Sequence, residues 1–175
     1  ADKSVHLRYA ASWGQQAKSK NILYLTAANV YEKGPVVAYL DVMYSRQGLD
    51  AMGIISDMQT PVVPTPTTAM NTEYLSFIAD FDYRFHPNWN AYIKGAYETA
   101  GVYETNGLFE KGLYRTTWNI QGCVEFFPMA NSELMIFAHL LHKEHKMTER
   151  ARALGAVSTD TQRISFGLVY TIPVF

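Results

Sequence analysis

The amino-acid sequence predicts an all-β protein, an antiparallel up-and-down transmembrane β-barrel domain spanning residues 1–175. Three observations carry this expectation. Apolar and polar residues alternate with period two in segment after segment, the step of a strand with one greasy and one wet face. Tight and long connections alternate, which is how outer-membrane barrels are wired and which a Greek-key sandwich has no reason to keep. Aromatic residues on the apolar parity gather near strand ends, as two belts at headgroup level would.

Taken in order, Val5, Leu7, Tyr9, Ala11 and Trp13 alternate with His6, Arg8, Ala10 and Ser12, and Gly14 to Asn21 reads as a polar loop. Ile22 to Tyr31 is a strand with two apolar faces, and Glu32 to Pro35 is a tight turn. Val36 to Tyr44 follows, with Asp41 set among Val36, Ala38, Leu40, Val42 and Tyr44. Gln47 to Met70 breaks every pattern with Pro61, Pro64 and Pro66, and reads as a long loop that folds inward as a constriction or stays on the surface. From Thr72 to Phe85, Leu75, Phe77, Ala79, Phe81 and Tyr83 oppose Tyr74, Ser76, Asp80, Asp82 and Arg84. His86-Pro87-Asn88 turns the chain, and Trp89, Ala91, Ile93, Gly95 and Tyr97 then oppose Asn90, Tyr92, Lys94 and Glu98.

After a loop from Glu104 to Gly112 comes the most regular stretch, a hairpin. Tyr114, Trp118, Ile120, Gly122, Val124 and Phe126 share one parity; Arg115, Asn119, Gln121, Cys123 and Glu125 share the other. Pro128 to Ser132 is a short link into Leu134–Leu141, a strand apolar on both faces, so something is expected to pack on Met135, Phe137 and Leu141. A polar loop runs on to Thr161, and Ile164, Phe166, Leu168 and Tyr170 form the last strand against Arg163, Ser165 and Gly167. This gives about eight strands and no convincing helix. Segments of roughly 10 to 14 residues exceed the usual soluble strand of about 5–6 and are long enough to cross a bilayer when tilted. Only a closed barrel can do so, because an open edge leaves backbone groups unbonded in hydrocarbon.

Composition narrows the function classes. A net charge of −1, with no basic run and no zinc spacing, argues against nucleic-acid binding. Charged residues make up 18% of the chain and aromatics 14%, and no window approaches the roughly 18 consecutive apolar residues of a membrane helix. Cys123, the single cysteine, has no base placed beside it and reads as a small space-filler. His139, His142 and His145 sit close together, with His139 and His145 on the parity of Lys143, but no second ligand cluster accompanies them. The expectation is a protein that is not an enzyme and holds no metal or cofactor. The chain opens Ala1-Asp2-Lys3 without a basic-then-apolar leader, as it would after signal removal or as a piece of something longer.

VEFFPMANSELMIFAHLL, DTQRISFGLVYTIPVF and AYLDVMYSRQGLD are similar to stretches of the phosphate-selective porin O/P family, in the branch found in Bacteroidetes-type outer membranes. The resemblance implies that these residues form the C-terminal half of a barrel of about sixteen strands, in a bacterial outer membrane, passing solutes passively. It also implies recognition of a terminal aromatic, here Phe175, by the barrel-assembly machinery, and a homotrimer as a possible assembly. Ile164 to Tyr170 lie on the opposite parity from Phe175, and Pro173 marks a bulge that resets the step.

The expected lumen-lining residues are Arg8, Asp41, Asp80, Lys94, Glu98, Arg115, Gln121, Glu125 and Arg163, a mixture of signs that does not argue for an anion ladder. The expected lipid-facing belt comprises Trp13, Tyr44, Tyr83, Trp89, Tyr114, Phe126 and Tyr170, with the lipid bilayer itself as partner. The leading function is a porin for small hydrophilic solutes or ions. The alternatives are a plugged eight-stranded outer-membrane barrel with a structural or adhesive role, and a soluble ligand-binding β-barrel.

Overall fold

The computed structural model describes residues 4–16, 20–47, 71–105, 109–129 and 134–171. Eight strands follow one another: β1 (Val5–Gln16), β2 (Lys20–Lys33), β3 (Val36–Gln47), β4 (Asn71–His86), β5 (Trp89–Glu104), β6 (Gly112–Phe126), β7 (Leu134–Met147) and β8 (Thr159–Tyr170). They form a single sheet in chain order, each antiparallel to the next. Among the described residues β1 and β8 do not pair with each other, so the sheet is open at two edges. The strand alternation read from the sequence therefore gives the right class and topology.

Several boundaries differ from those expectations. The polar stretch Gly14–Asn21 is mostly strand: β1 runs to Gln16 and β2 begins at Lys20, in direct register. That connection is three residues, against two at each of the β2–β3 and β4–β5 turns, so the short–long alternation of connections is not strict. His142-Lys143-Glu144-His145 is also strand, not strand-end and loop, because β7 continues to Met147 and β8 starts at Thr159. Polar side chains on both parities hid this extension from a pattern search, while the ladder from Thr117↔His145 to Phe126↔Ile136 holds it in place. The 48–70 segment and Phe175 lie outside the described residues. At the β2–β3 hairpin, Gly34 at φ 58° followed by Pro35 fits a two-residue turn whose first central position must be left-handed.

A short helix, α1 (Glu149–Ala153), was not expected. Thr148 caps it, accepting a hydrogen bond from the Ala151 amide at 3.4 Å, and Gly155 ends it at φ 89°. Ala151 of α1 packs with Ala100, Val102, Phe109, Tyr114, Met147 and Ala156, the only buried hydrophobic cluster among the described residues. Tyr114 reaches it because of a bulge. Ala100 pairs with Arg115 and Gly101 with Leu113, leaving Tyr114 as the extra residue on β6. The bulge turns its ring away from the parity of Trp118 and Ile120, and it ends fully buried, with its hydroxyl donating to the Glu110 carbonyl at 3.0 Å. Tyr114 is therefore not a belt residue, contrary to the sequence reading.

One inward apolar residue of β7, Phe137, finds a partner in the next strand. Phe137 pairs directly with Gly167, whose missing side chain leaves the room the Phe137 ring occupies. An aromatic ring laid over a facing glycine restores the packing that glycine lacks.

Tyr114→Ala is expected to lower stability by about 3–5 kcal/mol, the range for emptying a buried aromatic site. A denaturant titration of the refolded protein checks it; a loss below about 1 kcal/mol would contradict the burial of that ring.

Candidate functional site

The two faces of the sheet differ in the reverse sense of a water-soluble protein. On the apolar face Leu7, Tyr9, Leu40, Phe77, Phe81, Ile93, Trp118, Ile120, Leu140, Ile164 and Phe166 are exposed. On the polar face Ser45, Thr72, Ser76, Asn90, Arg115, Thr117 and His145 are buried. Among the described residues, α1 and its neighbours cover part of the polar face, at one end. Buried polar residues on one side and exposed apolar residues on the other are the asymmetry expected between the concave and convex sides of a curved sheet.

The register shows how the apolar band crosses the strands. One row of paired residues runs Tyr9, Ala27, Val42, Phe77, Tyr97, Trp118 and then turns charged at Glu144 and Asp160. On β1 the last apolar residue of this face toward the 17–19 end is Trp13; on β8 it is Ile164, followed by Gln162. The row through Ile164 passes Leu140, Gly122, Ile93, Phe81, Ala38 and Tyr31 and reaches β1 at Val5, eight residues before Trp13. The band thus slips by about one residue per strand. With about 3.3 Å per residue and about 4.8 Å between strands, a level band requires strands tilted about 40° from its normal. That is the tilt and stagger of closed membrane barrels.

Rings edge the band. Trp89 lies 4.7 Å from Phe126, its cross-strand partner, and Tyr83, Phe85 and Trp89 continue the line with centroids 6.2 and 6.5 Å apart. Trp13, Tyr83, Trp89 and Tyr170 are exposed, whereas Phe126 and Tyr44 are half-buried. At the other edge the Tyr44 hydroxyl donates to Glu73 at 3.2 Å, Arg46 pairs with Glu73 at 3.6 Å, and Arg46 stacks on Tyr103 at 4.2 Å. Trp118 donates to Glu144 and packs 4.6 Å from His142, which faces Asp160 at 3.5 Å. His142 therefore lies on the opposite face from His139 and His145. Asn29, a polar residue inside the apolar band, satisfies its own amide by donating to the Leu40 carbonyl at 3.0 Å.

The polar face carries a connected set of side chains. Arg115 meets Glu98 at 2.8 Å, and Ser76 donates to the other Glu98 oxygen at 3.1 Å. Thr117 bonds His145 at 2.7 Å, Asn90 donates to Glu125 at 2.9 Å, and His139 meets Gln121 at 3.3 Å. Lys94 sits directly across from Asp80. Asp41, Asp80, Lys94, Glu98, Gln121 and Glu125 are half-buried, while Arg8 and Arg163, near the two open edges, are exposed. Cys123 is buried among them opposite Tyr92.

The register also sorts charges that look mixed in the sequence. On β3 and β4 this face carries Asp41, Asp80 and Asp82, against Arg84 alone, and Arg84 donates to the Pro87 carbonyl at 2.6 Å. On β7 and β8 it carries Lys143 and Arg163 with His139 and His145, and no carboxylate. No group of three or more His, Cys, Asp or Glu among the described residues could hold a metal ion. No helix of the described residues is long and apolar enough to cross a membrane, which says nothing about crossing by strands.

The sequence profile of a family described as phosphate-selective porin O and P matches residues 1–172. No curated protein and no solved structure matches the chain.

Proposed function

Because the chain belongs to the phosphate-selective porin O and P family, we propose that it forms part of the wall of a passive pore in a bacterial outer membrane. The apolar face, including Trp13, Tyr83, Trp89, Phe126 and Tyr170, lies against lipid. The polar face, from Arg8 and Asp41 through Asp80, Lys94, Glu98, Arg115, Gln121 and Glu125 to Arg163, lines water. The observation that carries this reading is the exposure of Phe77, Ile93 and Ile120 together with the shielding of Arg115, Thr117 and His145. The oblique apolar band supports it, since only a tilted strand array needs one.

Unpaired edges at β1 and β8 are untenable in hydrocarbon, where each orphaned backbone group costs several kcal/mol. In the proposed pore both edges are paired, within the barrel of about sixteen strands that the family resemblance implies, wide enough to leave an aqueous channel. Assembly through Phe175 by the barrel-assembly machinery, and a homotrimer, belong to the same proposal and are supported by family membership. The solutes are small and hydrophilic. Lys143 and Arg163, on a wall without carboxylates, favour anions on that side, while Asp41, Asp80 and Asp82 hold cations on the other.

Two outcomes are expected. Ile93→Arg, in the middle of the apolar band, lowers barrel stability by about 2–4 kcal/mol, the range for a cation facing mid-bilayer, whereas Thr26→Arg on the polar face leaves it within about 1 kcal/mol. Heat-modifiability on gels after refolding into lipid reads both, and equal effects would contradict the assignment of faces. In planar bilayers the full-length protein gives discrete current steps, and Lys143→Glu with Arg163→Glu shifts the reversal potential in a salt gradient toward cations. Absence of steps would remove the pore.

A further inference from the structure

The buried hydrophobic cluster found among the described residues lies on the polar face, at the end of the sheet where residues 105–111 and 148–158 connect the strands. We infer that the β7–β8 connection, built on α1, is a docked shelf inside the channel that narrows its entrance on that side. This rests on the pore reading above. A connection that merely arched over the rim would leave Ala100, Val102 and Tyr114 open to the lumen; instead all three are fully buried beneath Ala151 and Ala156.

Polar contacts fix the shelf on three sides. The Thr148 hydroxyl donates to the Leu113 carbonyl at 3.2 Å, and the Thr148 amide donates to the Tyr114 carbonyl at 2.9 Å. Ser158 accepts from the Met147 amide at 2.9 Å, closing the connection at its far end. Arg150 pairs with Glu110 at 3.1 Å, donates to the Lys111 carbonyl at 2.5 Å, and has its guanidinium carbon 5.8 Å from the centre of the Tyr114 ring. The shelf is thereby joined to the 105–111 connection as well as to β6 and β7, so it does not swing freely. A packed apolar underside and a clamped arginine describe a fixed constriction rather than a gate. Arg152 stays exposed on the shelf, and it is the position that tests the inference.

The test uses the full-length protein with Arg152→Cys, treated with a bulky, water-soluble methanethiosulfonate reagent and recorded in planar bilayers. The unsubstituted protein, similarly treated, controls for the buried Cys123. Mass measurement shows whether the mixed disulfide has formed. The expected result is adduct formation and a single-channel conductance reduced by roughly a fifth or more, because added bulk at a constriction narrows the path. An adduct with unchanged conductance, or no adduct at this exposed position, would overturn the shelf. Channels absent from the unsubstituted protein would instead overturn the pore reading on which it rests.

Discussion

In the proposed membrane setting the structure depends on one constraint: a backbone in hydrocarbon must have its amides and carbonyls paired within the protein, and side chains then have only two directions to take. The antiparallel pairing that runs from β1 to β8, interrupted only by local register shifts, meets the first requirement where strands adjoin. Period-two alternation meets the second, placing Phe77, Ile93 and Ile120 on one side and Asp80, Lys94 and Gln121 on the other. Among the described residues the body of the sheet therefore carries no conventional hydrophobic core. In its place stand an exposed apolar face, which the proposed function lays against lipid, and a polar face held by hydrogen bonds such as Arg115–Glu98 and Thr117–His145. The exceptions are satisfied locally, as Asn29 shows by bonding the Leu40 carbonyl.

Against that background the small cluster around Tyr114 has a distinct role. It sits beyond one edge of the exposed apolar band, so packing can be built there in the ordinary way, by burying rings and alanines from water. A single bulge provides the means, since the extra residue on β6 rotates Tyr114 onto the other face without disturbing Trp118 or Arg115 on either side of the ladder. The same segment then supports α1. One irregularity in the pairing thus links the sheet to the helix packed on its polar face.

Much of this was legible in the sequence, and the misses have physical causes. Alternation alone placed β1 and β3 to β6 within a few residues at their turn ends, because an apolar residue at every second position has no helical equivalent. It failed on β7 beyond Leu141, where His142, Lys143, Glu144 and His145 are polar on both faces; only the partner strands show that the pairing continues. Tyr114 has the same parity as Trp118, and no pattern within β6 reveals the bulge that sends it elsewhere. The helix left a readable trace in Thr148-Glu149-Arg150-Ala151, a cap followed by an acid and helix-favouring residues, with Gly155 after it, but the stretch is short and was absorbed into a loop. Charge sorting on the polar face was beyond reach, because which wall a residue joins is set by register between strands and not by order along one.

All three tryptophans, Trp13, Trp89 and Trp118, lie on the exposed apolar face near the edges of its band. Their fluorescence therefore tests the central claim directly. In vesicles whose acyl chains carry bromine, the account expects most of the emission to be quenched, more by bromines placed near the headgroups than by those at the bilayer centre, with little further loss on adding aqueous iodide. Emission that survives brominated lipid and is quenched by iodide would place these rings in water and contradict it.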